Sequence, residues 1–95
     1  MRIVTLDCTA ITSRKELHRA LAENLQFPDW YGGNLDALFD CLTDLEIPTA
    51  LTLTGWQILP EVLEEYGRKA LQVLQDAAAE NEDFRLILSP APATF

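Results

Sequence analysis

The chain has 95 residues, 48% of them hydrophobic, which is enough for one compact domain and too few for two. With 15 acidic against 7 basic residues the formal net charge is -8, which works against binding nucleic acid or anionic lipid and favours cations or basic proteins as partners. The stretch after Met1, Arg-Ile-Val-Thr-Leu, has neither the charged start and long apolar run of a signal peptide nor the length of a membrane span, so the expected location is the cytoplasm. Cys8 and Cys41 lie far apart among apolar neighbours without the CxxC spacing of a metal or redox site. They read as two buried, reduced thiols.

In chain order, "RIVTLDC" sets Ile3 and Thr5 against Val4 and Leu6, and its β-branched content suits a first strand buried on both faces. "TSRKELHRALAENLQF" places Glu16 three residues after Ser13, a capping-box spacing, and then repeats Leu17, Ala20, Leu21 and Leu25 at helical intervals. Pro28 halts that helix, and "WYGG" makes a turn whose glycines allow positive φ. Asn34 is a strong N-cap for a second helix from Leu35 to about Thr43. After Pro48, "TALTLT" is a short second strand. The segment from Gly55 to Asn81 has helical periodicity, and Gly67 divides it into a short helix near 57 to 65 and a longer one near 67 to 81. "DFRLILS" supplies a third strand apolar enough to be interior, and "PAPATF", residues 90–95, is a Pro/Ala-rich tail outside the core.

Helical connections between successive strands point to a small α/β domain with a parallel sheet and right-handed crossovers. No GxGxxG or GxxxxGK[ST] follows any strand, so a nucleotide site has no support and no cofactor is expected.

The second helix is the informative segment. At 100° per residue Leu35, Leu38, Leu42 and, more peripherally, Phe39 and Cys41 share one side, while Asp36, Asp40 and Asp44 form a stripe on the other. Each like-charged pair four apart costs an isolated helix roughly 0.2–0.5 kcal/mol, and Asp44 also opposes the helix dipole. No lysine or arginine between Arg19 and Arg68 offsets that cost. A solvated face on an acidic protein would account for the spacing alone. Trp30 and Tyr31, in a glycine-rich loop directly before the stripe, favour a protein-binding surface instead, although one or both, Tyr31 above all, also read as plugs for the core beside Pro28. Asp76 and Glu80, with Gln72 and Val73, form a second acidic set on the last helix. It would converge with the first if the two helices pack together.

The run "FPDWYGGNLDALFDCLTD", with the later "LQVLQDAAAE" and "LILS", resembles the barstar family of intracellular inhibitors of the secreted ribonuclease barnase, from about Arg2 to Ser89. The resemblance implies one barstar-like domain over 1–89, with a three-stranded parallel sheet packed with about four helices. It also implies a function: blocking a basic, extracellular-type ribonuclease or ribonuclease toxin in a 1:1 complex. Asp40 would enter the phosphate-binding centre of the enzyme, Asp36 would pair with a neighbouring basic residue, and Trp30 would stack over the site. Gly32, Asn34, Phe39 and Thr43 would line the contact, and Val73, Asp76 and Glu80 would supply a second rim. Carboxylates four residues apart rise about 6 Å along a helix, close to the step between phosphates on an extended strand. The physical case for electrostatic steering is itself built on the barnase and barstar pair, so it belongs to the resemblance. This chain departs from the family where it has Trp30 for Tyr, Gly33 for Glu, Phe39 for Trp and Asp76 for Glu, and where "DLEIPTA" is about one residue shorter. The rim differs while the main acids are kept, which leaves the target ribonuclease open.

Two other classes compete. An enzyme would use Asp36 and Asp40 for acid and base work or to hold Mg²⁺, yet the pair lies on a convex helix, and His18, the single histidine, reads as an exposed or core-edge residue. A general acidic module, such as a DNA mimic or an immunity protein against an unrelated basic nuclease toxin, would use the same face and differ only in partner. The residues are therefore read as those of a non-enzymatic inhibitor.

Overall fold

The structure is a computed structural model and describes residues 1–89, so the tail expected at 90–95 lies outside the described residues. Along the chain run β1 (Arg2–Asp7), a short 3-10 turn (Cys8–Ala10), α1 (Arg14–Leu25), α2 (Leu35–Thr43), β2 (Thr49–Thr54), α3 (Ile58–Leu63), α4 (Glu65–Glu80) and β3 (Phe84–Ser89). The strands form one parallel sheet in the order β1-β2-β3, the expected α/β class.

That order decides which sheet face is buried. Two crossovers that step in the same direction across a parallel sheet, both right-handed, leave their helices on the same side. The register aligns Val4 with Leu51 and Leu86, and Leu6 with Leu53 and Leu88, and this face meets the helices. The opposite face carries Ile3, Thr5, Ala50, Thr52, Arg85 and Ile87. Ile3 is 75% exposed there, which corrects the reading of β1 as buried on both faces. β3 is likewise an edge strand and not an interior one, and Ile87 on it is exposed. Apolar content alone did not distinguish them, because β2 is the only strand with a neighbour on each side.

Local chemistry accounts for the helix ends. Ser13 Oγ accepts the Glu16 N–H at 3.1 Å, and the Glu16 carboxylate in turn accepts from the hydroxyls of Thr12 and Ser13. α1 stops when Gln26 turns left-handed at φ 56°, with the Phe27 N–H returning to the Ala22 carbonyl at 3.0 Å. Pro28 follows the stop and does not cause it. Arg2, at the start of β1, donates to the Leu25 carbonyl at 2.8 Å and fastens this end of α1 to the sheet.

The division between α3 and α4 falls at Glu64, with φ 56° and ψ -133°, and not at Gly67 as expected. Gly67 lies inside α4, where a Cβ would stand 2.2 Å from the Leu59 carbonyl oxygen. Glycine is needed there for the close crossing of α3 and α4, not for a break. Both cysteines are free and buried as expected. The Cys8 thiol is pushed up to about 11 by burial and then by the neighbouring Asp7 charge, so it is protonated at neutral pH.

Candidate protein-binding site

The candidate surface begins in the loop between α1 and α2. Tyr31 N–H closes a turn onto the Pro28 carbonyl at 3.0 Å, and the Phe27 and Tyr31 rings lie 4.9 Å apart. This turn sends the two neighbouring aromatics opposite ways. Tyr31 folds inward and Trp30 points outward, 68% exposed. Tyr31 does plug the core edge, but through a polar contact: its hydroxyl lies 2.5 Å from His18 Nδ1, while Tyr66 of α4 places its hydroxyl 2.5 Å from His18 Nε2. Both ring nitrogens of the single histidine are thus engaged by tyrosines from different elements, and Arg14 sits 4.2 Å over the Tyr66 ring. Burial holds the His18 pKa below its ordinary value and raises that of Tyr31. The neutral imidazole therefore serves as donor to one phenol and acceptor from the other.

Gly33 then adopts φ 66°, which the turn into α2 requires, and Gly32 leaves room for the Asn34 amide, 3.2 Å from where a Cβ would be. Asn34 Oδ1 accepts the Ala37 N–H at 2.8 Å, the expected N-cap. From this start α2 buries Leu38, Cys41 and Leu42, half-buries Leu35 and Phe39, and exposes Asp36, Asp40 and Asp44. Cys41 is more deeply buried than its helical angle suggested. Burial first, and then the charges of Asp44 and Asp40, push its thiol pKa above the ordinary value. Thr43 Oγ1 is turned back onto the carbonyls of Phe39 and Asp40, at 2.9 and 3.2 Å, which limits its freedom to reach outward.

α2 packs along α4, so the two acidic sets do occupy neighbouring helices. Val73 is half-buried against the core, Asp76 is exposed and accepts from Gln72 Nε2 at 2.9 Å, and Glu80 is exposed. Among the described residues the one ion pair is Arg68 with Glu65, at 3.2 Å on the surface of α4. None of Asp36, Asp40, Asp44, Asp76 or Glu80 is neutralised by it. Between the loop and the C-terminal end of α2 lies an open cleft of about 290 Å³ whose lining includes Trp30, Pro28, Ile47, Asp44 and Glu46. Asp36 and Asp40 stand outside it on the convex face.

Two elements of this surface escaped sequence reasoning. The His18 bridge joins residues 13 and 48 positions apart, and Ile47 contributes apolar surface next to Trp30 from the strand-entry loop. No local pattern announces either, because each depends on how α1, α4 and the β2 entry meet.

The fold and this surface define a class: a small α/β protein that presents unpaired carboxylates and an exposed tryptophan on a helix and loop locked to its body. The family model described as Barstar (barnase inhibitor) matches residues 1–89, and the chain belongs to the barstar family. That is a family of inhibitors, not of enzymes, and the class of this chain follows it. The chain is also 38% identical over 90 residues, 93% of its length and 99% of the other protein's, to a Bacillus subtilis (strain 168) protein named "Putative ribonuclease inhibitor YrdF". No helix of the described residues is long and apolar enough to cross a membrane.

Proposed function

We propose that residues 1–89 act as a domain that inhibits a barnase-type ribonuclease by occupying its active site, in a one-to-one complex that needs no cofactor. The observation that carries this reading is the pair Asp36 and Asp40, exposed one turn apart without an ion pair, with the outward Trp30 in the loop that leads into their helix. A ribonuclease must hold a polyanion, so its active site is cationic, and a rigid row of carboxylates presents the charge pattern of a nucleic-acid backbone. In this reading Asp40 takes the phosphate-binding centre and Asp36 pairs with a neighbouring basic residue of the enzyme. Trp30 stacks where a nucleobase would. Gly32, Asn34, Phe39 and Thr43 line the contact, and Val73, Asp76 and Glu80 form the rim on α4. The work of such a protein is to protect the cytoplasm of its producer from the enzyme.

The test is titration of barnase activity with the purified chain at low and moderate salt. Stoichiometric inhibition that weakens as salt rises supports active-site mimicry. A folded protein that leaves barnase untouched at both salts refutes this target and directs the search to other basic nucleases, including toxins.

A further inference from the structure

The C-terminal end of α2 is an unusual place to find order. The last carbonyls of any helix lack intrahelical donors, and here no basic residue lies in the last turn while Asp44 brings a negative charge to the negative end of the dipole. Nor does a left-handed residue close the helix, since Asp44 is right-handed at φ -91°, ψ -2°. The Leu45 N–H reaches the Leu42 carbonyl only at 3.5 Å, and the stronger donor comes from beyond α4. Asn81 Nδ2 donates to the carbonyls of Leu42 at 2.9 Å, Leu45 at 3.2 Å and Thr43 at 3.4 Å, sharing its two hydrogens among three acceptors.

The same residue is committed at every other polar atom. Its backbone N–H donates to the Ala77 carbonyl at 2.9 Å, ending α4, and its own carbonyl accepts from Phe84 N–H at 3.0 Å, starting β3. Its Oδ1 accepts from Asp83 N–H at 2.9 Å, which fixes the amide's orientation, since a flipped amide would set oxygen against three carbonyls. α2 packs along α4, and Leu38 and Leu42 of the first and Leu74 and Ala77 of the second are fully buried in the apolar core. Apolar packing is not directional and resists separation more than it resists a small slide or rotation. Hydrogen bonds across the helix ends set the register that packing leaves loose.

We infer that Asn81 is a positioning residue for partner binding: its amide clamps the end of α2 to the end of α4, so that Asp36 and Asp40 on one helix and Asp76 and Glu80 on the other meet a partner as one rigid acidic surface. The inference rests on the inhibitor reading for its consequence but not for the clamp itself. Asn81→Gly removes the side chain, keeps a residue suited to a helix end, and leaves every charge in place. In the free protein, amide hydrogen exchange at Asp44 and Leu45 should accelerate about tenfold relative to Leu51 of the central strand, whose exchange reports global opening. Against barnase, the dissociation rate should rise about tenfold with the association rate within about twofold of the parent, because steering depends on charge and retention on fit. Exchange at Asp44 and Leu45 that rises only in step with Leu51 overturns the clamp. Localised acceleration with an unchanged dissociation rate overturns its role in binding. If the parent chain itself leaves barnase active, the inhibitor reading fails for that enzyme, and the exchange comparison still decides the clamp.

Discussion

Replacing His18 with phenylalanine tests the contact that ties the aromatic loop to the body. The ring is 5% exposed, and each nitrogen lies 2.5 Å from a tyrosine hydroxyl, Tyr31 from the loop and Tyr66 from α4. A side-chain hydrogen bond is worth about 1 kcal/mol net, and a stranded buried partner costs about 1–3 kcal/mol. Both phenols are half-buried and retain some access to water, which puts the loss at about 2–3 kcal/mol for His18→Phe at pH 7.5. The pH dependence then identifies the residue. Burial lowers the folded pKa of His18 from the ordinary 6.5, so as pH falls through that value the unfolded chain takes up a proton before the folded one. The contribution of neutral His18 is therefore complete above about 6.5 and is lost as pH drops toward the lowered folded value, with a slope of at most about 1.4 kcal/mol per pH unit. Urea denaturation from pH 7.5 to 5.5 should show the parent curve descending toward a flat His18→Phe curve. As this is the only histidine in the chain, no other imidazole confuses the comparison. A gap that stays constant with pH, or a parent that gains stability on acidification, refutes the reasoning.

Three further tests probe the scaffold and the surface. Gly67→Ala at an ordinary helix site would stabilise by up to about 1 kcal/mol. Here its Cβ must retreat from 2.2 Å to an ordinary contact with the Leu59 carbonyl, so denaturation should show a net loss of about 2 kcal/mol, and a gain would mean that α3 and α4 do not cross so closely. Asn34→Ala, which strands the Ala37 N–H, should cost about 1 kcal/mol in the same assay while Asn34→Asp costs less, and equal losses would argue against a capping role. In competition for barnase, Asp40→Ala should raise the dissociation constant at least tenfold more than Asp44→Ala, because the proposed docking centres on the middle of α2 and leaves its last turn at the rim. Equal effects would place the contact elsewhere on the helix.

The amino-acid sequence by itself determined the elements and the chemistry they carry. Ser13 and Asn34 announced their caps and the leucine spacing separated the buried side of α2 from its acid stripe, because caps and periodicity act within a few residues, while the strand-helix order permitted the parallel sheet that is found. The glycine-rich loop left Trp30 and Tyr31 alike as surface or core rings, and the fold turned only Trp30 outward. Tertiary structure alone decided which face of the sheet meets water. Ile3 and Val4 have similar apolar character, yet only the side toward which both crossovers turn is covered. Gly67 has the same sequence signature whether it breaks a helix or admits a neighbouring backbone, and only the approach of Leu59 distinguishes the two. His18 and Asn81 gained their partners in the same way, from residues 13 to 48 positions distant. A side chain's donors and acceptors are written in its identity, but what they bond is set by which chain segments the core draws together.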